Sequence, residues 1–270
     1  MACNCSFSHF LNINWHSEIE EFDREFQRVK AVTERGFFSK DEYMDIYKVT
    51  GVEVDSRRVF GEFCEKIMKS TFARFASSVR NLPGLDELSA IEFVLTILEN
   101  KEDVQLPIAI SQGNKWVNDS LLMKLDDEHI LEMTKQQFIN MCDPGMTAVH
   151  QECSRLIEKT NLTFEETTFL VSLNLLYPKR ERRHLIHMHQ RFILAFTRYL
   201  ESQYGTKYHI RLIELVNLMS SLKLHARTGQ KWLRDNEEYL NTVYRSKIMK
   251  IFTKNLPLEQ ANTLLKELKI

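Results

Sequence analysis

Apolar residues recur at steps of three and four along most of this chain, which is the period of an α-helix. Residues 17–35 place Ile19, Phe22, Phe26 and Val29 on one face, with Ser17 as the expected N-cap and Gly36 as the terminator. A shorter helix is predicted around 40–48. A long one then runs from a cap at Asp55 or Ser56 to about Leu82, where Asn81-Leu82-Pro83-Gly84 breaks it. Its Val59, Phe63, Ile67, Met68, Phe72, Phe75 and Val79 form a stripe too wide to face solvent. Further helices are predicted over about 88–103, 134–142, 145–159, 163–177, 183–204, 207–234 and 257–269. The only strand-like stretch is 106–118, with Gln112-Gly113-Asn114 as its turn.

The segments 88–98, 164–177 and 190–200 carry few charges and many large apolar groups. A helix apolar around most of its circumference must be covered on both sides, which predicts a buried middle layer. The expected fold is therefore all-α, a three-layer helical sandwich of about ten to twelve helices with one short β-hairpin. Connections are short and no low-complexity segment separates two halves. One domain over 17–270 is expected, preceded by a flexible amino-terminal segment 1–16.

Composition sharpens this picture by exclusion. The chain has 270 residues, ample for a core, with Lys plus Arg at 36 against Asp plus Glu at 37. Such a balance supplies no basic field for nucleic acid. Eight Gly and five Pro are too few for a sandwich or barrel with a turn every ~8–12 residues. No apolar run is long enough to span a membrane, and the start MACNCSFSHF has no basic region followed by an apolar stretch, so no secretory signal is expected. The five cysteines (Cys3, Cys5, Cys64, Cys142, Cys153) are neither a disulfide framework nor paired CxxC motifs. An intracellular domain is expected.

Enzyme chemistry finds no motif: there is no GxSxG elbow, P-loop or GxGxxG. His184 and His187 would share a helix face and could hold zinc, but His189 points elsewhere and no thiol or acid stands beside them. They are expected to be surface histidines, with no metal. Lys179-Arg180-Glu181-Arg182-Arg183 is expected to be a solvated connection, with a subunit contact as the alternative.

Four stretches taken together resemble the ligand-binding domain of nuclear receptors, and the match spans about 17–252. Val79-Arg80-Asn81-Leu82-Pro83-Gly84-Leu85-Asp86-Glu87-Leu88 is similar to the signature joining that family's helices 3 and 4. The strand-like stretch 106–118 stands where the family has its small β-turn. Phe164 to Pro178 resembles the family's helix 8, and Arg191 to Tyr199 with Arg211-Leu212-Ile213-Glu214-Leu215 resembles helices 9 and 10. Glu92-Phe93 departs from the usual Asp-Gln, and Leu98 replaces a common groove lysine.

The resemblance implies a nuclear transcription regulator, able to shuttle with the cytoplasm, that binds an apolar, sterol- or lipid-like ligand and recruits coregulators. A pocket of that type would be lined by Met68, Thr71, Phe72, Phe75, Ser111, His150, Cys153 and His225. On periodicity alone the same residues are core. The family's ligand-anchoring arginine is absent from Ile108-Ala109-Ile110-Ser111-Gln112, which favours a neutral ligand or a pocket filled by side chains. The resemblance also implies an LxxLL-type peptide groove, with Arg80 as its base and Leu264, Leu265, Glu267 and Leu268 as its acidic helix. The stretch 247–252 competes for that role but puts Lys250 where the acid belongs. Homodimers, or heterodimers with another nuclear receptor, would form through 190–222, with Arg191, Tyr199, Arg211, Leu215 and Leu218 on the contact. No cofactor, membrane contact or direct nucleic-acid contact by this domain is expected. Two other classes stay open: a constitutive helical scaffold with a filled pocket, and a helical lipid carrier.

Overall fold

The first described helix, α1 (Phe22–Arg35), buries Phe22, Phe26 and Val29 of the expected stripe, together with Val32. Gly36 ends it at φ 82°, a left-handed position that glycine adopts without Cβ strain, and its N–H bonds the Thr33 carbonyl. Helix α2 (Lys40–Thr50) starts from a reciprocal cap in which Ser39 and Glu42 satisfy each other's backbone N–H, and ends at Gly51. Helix α3 (Arg57–Arg80) is the long helix, with the Asp55 carboxylate accepting the Arg57 N–H at 3.2 Å. Of the two cap candidates, Asp55 therefore makes the bond. The computed structural model describes residues 21–80, 85, 88–97, 100, 103, 113–177 and 185–244, apart from the side chains of Phe72, Arg74 and Ser78. The 1–16 segment, Ser17, Ile19 and the 257–269 helix lie outside these residues.

Residues 90–97 are helical, led by Ser89, whose hydroxyl accepts the Glu92 N–H while Glu92 accepts from the Ser89 backbone. Three short strands follow: β1 (Lys115–Val117), β2 (Ser120–Lys124) and β3 (Ile130–Thr134), paired antiparallel in that order. The single hairpin expected over 106–118 is thus corrected to a three-stranded sheet starting at Lys115. Residues 106–112 lie outside the described residues. The first turn is Asn118-Asp119, at φ 48° and 61°, rather than Gln112-Gly113-Asn114. A two-residue turn with both φ positive matches the strand twist, and Asn and Asp tolerate that region best after glycine. The run Leu121-Leu122-Met123 hides the period of two, although β3 alternates with Leu131 and Met133 inward.

The remaining described elements are helical: α4 (Lys135–Met141), α5 (Pro144–Thr160), α6 (Phe164–Leu175), α7 (Leu185–Tyr204), a 3₁₀ turn (Gly205–Lys207), α8 (Tyr208–Asp235) and α9 (Glu237–Val243). The described residues thus hold nine helices besides the helical stretch 90–97, just below the ten to twelve expected. Helix α9 is not legible in the sequence, because Tyr239, Leu240 and Val243 are too few to establish a period.

Three packed clusters organise these elements. One joins α1 and α3 to the sheet, through Phe22, Phe26, Phe60, Phe63, Leu131 and Met133. A second joins α5, α6, α7 and α8 through Ile157, Leu170, Phe196, Leu200, Leu215 and Leu222. The third seats α9 on α2 through Tyr43, Met44, Tyr239, Leu240 and Val243. Each such buried side chain contributes roughly 1.5–3 kcal/mol of hydrophobic stabilisation. In α6 every residue from Leu170 to Leu175 is buried, as are Phe93, Val94 and Ile97 in 90–97. The Asn100 amide donates to the Leu175 carbonyl at 2.9 Å, tying these two covered elements together as the middle layer.

Candidate functional site

Four elements converge on one group of rings. Strand β1 carries Trp116 opposite Leu121, whose side chain is buried in the core. Helix α4 is launched by the reciprocal Thr134–Gln137 cap and presents Phe138 one residue later. Helix α5 starts at Pro144, with the Asp143 carboxylate accepting the Met146 N–H at 2.7 Å, and brings in His150. Helix α8 supplies His225. The ring centroids of Phe138 and His225 lie 5.2 and 5.4 Å from that of His150, and Trp116 lies 5.7 Å from Phe138.

The indole N–H of Trp116 donates to His150 Nδ1 at 3.0 Å. An indole nitrogen only donates, so Nδ1 must be the acceptor and the neutral ring carries its proton on Nε2. Burial, helped by the neighbouring His225, pushes the His150 pKa down to about 3. The site therefore presents a neutral N–H donor among aromatic rings. It offers no cationic imidazole at position 150 to hold a carboxylate.

The other expected pocket residues divide. Met68 and Thr71 are half-buried and Phe75 is buried on the second half of α3. Cys153, one turn beyond His150, packs with Leu170, Leu218 and Leu222, and burial pushes its thiol up to about 12. It is a core residue rather than a reactive one. Ser111 and the Phe72 side chain lie outside the described residues. Sequence reasoning misses Trp116 and Phe138. Their one available signal is that a partly buried indole needs a hydrogen-bond acceptor.

Arg80, expected to cap a peptide, donates instead to the Leu85 and Leu88 carbonyls at 3.2 and 2.9 Å, with its guanidinium 4.7 Å from the centre of the Phe93 ring. The departure Glu92-Phe93 thus has a local explanation: Glu92 caps the helical stretch 90–97, and Phe93 lies under Arg80. Leu98, Lys250, Leu264, Leu265, Glu267 and Leu268 lie outside the described residues.

The expected dimer surface needs correction. Leu215 and Leu218 are core residues, 1% and 2% exposed. Arg211 turns inward and donates through Nε and Nη2 to the fully buried Glu166 carboxylate at 2.8 and 2.6 Å. Tyr199 is half-buried against Phe169 and Phe196, while Arg191 is exposed. The reason is helical phase. The steps 211, 215, 218, 222 face the other helices, and the neighbouring stripe Ile210, Ile213, Val216 faces out, at 52%, 60% and 51% exposure. Ile193 and Leu194 on the adjoining α7 are exposed as well.

His187 is exposed and His189 half-buried on α7, while His184 and the 179–183 run lie outside the described residues. Among the described residues no group of three His, Cys, Asp or Glu side chains could hold a metal ion. No described helix is long and apolar enough to cross a membrane. Compared with models of protein families and with curated proteins, the chain matches none.

Proposed function

We propose that this chain is a ligand-binding domain of the nuclear-receptor type, which takes up a neutral, largely apolar molecule and recruits coregulators to control transcription in the nucleus. One observation carries the reading: Trp116 holds His150 as a neutral donor within the aromatic group formed by β1, α4, α5 and α8. A single fixed N–H among apolar rings suits the keto or hydroxyl oxygen of a sterol- or lipid-like ligand. The α-helical architecture with a covered middle layer and one small sheet supports the same reading. So do the four sequence stretches that resemble the family.

Within this proposal Arg80 serves the coregulator groove through N–H groups not committed to Leu85 and Leu88, since a guanidinium has five. Leu264, Leu265, Glu267 and Leu268 supply its acidic side. Association with a second receptor runs through the outward stripe Ile210, Ile213 and Val216 together with Ile193 and Leu194, an apolar face of the kind that marks interaction sites.

Native mass spectrometry after mild extraction tests the ligand. A co-purifying neutral lipid, lost on replacing His150 by Phe, is the expected result. A protein that carries none, and that no lipid extract stabilises, would instead be a constitutive helical scaffold.

A further inference from the structure

Helices α5 and α8 lie antiparallel. The Thr160 carbonyl at the end of α5 accepts from Arg211 near the start of α8 at 2.9 Å, and further along His150 faces His225. Between these two contacts the seam is filled by Cys153, Ile157, Leu218 and Leu222, all buried. Beyond the histidines, towards the start of α5, the filling stops at Gly229, which stands opposite Met146.

Glycine is the least favoured residue in a helix interior after proline, and Gly229 lies well inside α8. Gly61, inside α3, has a steric reason: a Cβ there would stand 2.9 Å from Val243 Cγ1 and 3.0 Å from the Val243 carbonyl oxygen. Gly229 has none. Among the described residues a Cβ there would meet only Met146 Cε, at 3.7 Å, an ordinary van der Waals distance. The Asp143 cap fixes the backbone of Met146, while its unbranched side chain adapts to what lies beneath it. One turn further along the same face of α8 comes Trp232. Its indole nitrogen is buried and, among the described residues, has no acceptor. Buried donors are nearly always paired, so this one marks a place where an acceptor belongs.

We propose that the ligand of the Trp116–His150 site lies lengthwise along α8, its apolar body across Gly229, with one acceptor oxygen on His150 Nε2 and a second on Trp232 Nε1. The assignment rests on the ligand-binding reading of that site and names the class of molecule. His225, opposite His150, and Trp232 are separated by roughly 10 Å of helix at the α-helical rise. The ligand is therefore elongated, apolar along its length, and carries an acceptor oxygen at each end. Both donors are neutral N–H groups, which suits ketone or hydroxyl oxygens. The missing side chain of Gly229 makes room for its body. A molecule with a single polar end leaves the Trp232 donor buried and unpaired, so the site selects against it.

Calorimetric titration of the full-length chain with two steroid probes tests this: a diketone with one ketone at each end, and the matching monoketone. The diketone is expected to bind roughly tenfold more tightly. Trp232→Phe, which keeps a ring against Tyr239, should remove that difference by weakening the diketone alone. Gly229→Leu should abolish binding of both, with circular dichroism showing its helices intact. If both ketones bind and depend on His150, but Trp232→Phe and Gly229→Leu change neither affinity, the proposal is overturned while the reading of the His150 site stands. If neither ketone binds, both are overturned.

Discussion

The hydroxyl of Tyr239 accepts a hydrogen bond from the guanidinium of Arg57, 182 residues earlier in the chain, at 2.9 Å. Arg57 is wholly enclosed. Its other donors go to the Asp55 carboxylate and the Phe38 carbonyl, and its guanidinium carbon lies 4.0 Å from the centre of the Tyr43 ring. One buried cation thus ties the α1–α2 connection, α2, α3 and α9 into a unit. Tyr239→Phe should cost about 1.5–3 kcal/mol, the worth of a hydrogen bond to a charged group. Urea denaturation should show a lower midpoint with an unchanged slope. Arg57→Met should cost more, about 3–5 kcal/mol, because it strands the nearly buried Asp55.

Glu166 gives the fold part of its acid sensitivity. Burial alone would raise its pKa, but the Arg211 guanidinium, the Thr163 N–H and the Tyr204 hydroxyl together hold it below the usual carboxylate value. Asp126 is lowered the same way: burial opposes the shift, and His129 with two backbone N–H groups outweighs it. A carboxylate depressed in the folded state stabilises above its unfolded pKa, and that stability is lost as pH falls through the folded value. Unfolding free energy should therefore begin to decline below about pH 6.5, as the unfolded chain protonates the imidazoles that burial keeps neutral at His150 and His189, and decline further below about pH 5 as the unfolded carboxylates take up protons. Glu166→Gln should flatten part of that decline while lowering stability at pH 7, as read from denaturation curves across pH.

His150 should remain neutral throughout the range from pH 8 to 5, with its proton on Nε2. Nitrogen-15 imidazole spectra would display this tautomer directly. Trp116→Phe removes the donor facing Nδ1 and should release the ring into a mixture of tautomers. A wild-type ring that titrates near pH 6 would contradict the burial and the hydrogen bond together.

Ile213→Arg and Leu215→Arg stand two residues apart and should behave oppositely. Ile213 is 60% exposed, so the change should leave stability within about 0.5 kcal/mol and abolish any self-association through this face. Leu215 is 1% exposed, and a charge there should unfold the α5–α8 cluster. Sedimentation velocity paired with circular dichroism separates the two effects.

The helical architecture is legible in the sequence because its causes are local. Periods of three and four locate α1, α3, α5, α6, α7 and α8, and Gly36 and the break after Arg80 mark ends by backbone chemistry alone. The heavily apolar 164–177 stretch announces a covered helix, and α6 is one. The sheet is misplaced in the sequence reading because adjacent leucines blur its period and its turn uses Asn-Asp rather than glycine.

The sites depend on what sequence cannot carry. A helical stripe is wide, and a rotation of one residue decides whether Leu215 or Ile213 meets solvent. Only packing of α8 against α5 and α7 fixes that phase. The likeness of Arg80 to a groove base is visible in the sequence, but its bonds to Leu85 and Leu88 depend on where the chain turns after α3. Trp116, Phe138, His150 and His225 come from four separate elements, and Arg57 and Tyr239 from opposite ends of the described chain. Sequence determined which of the long segments are helices, since that follows from interactions within a few residues. Tertiary structure alone decided which distant side chains meet, because such contacts form only when whole faces are buried against one another.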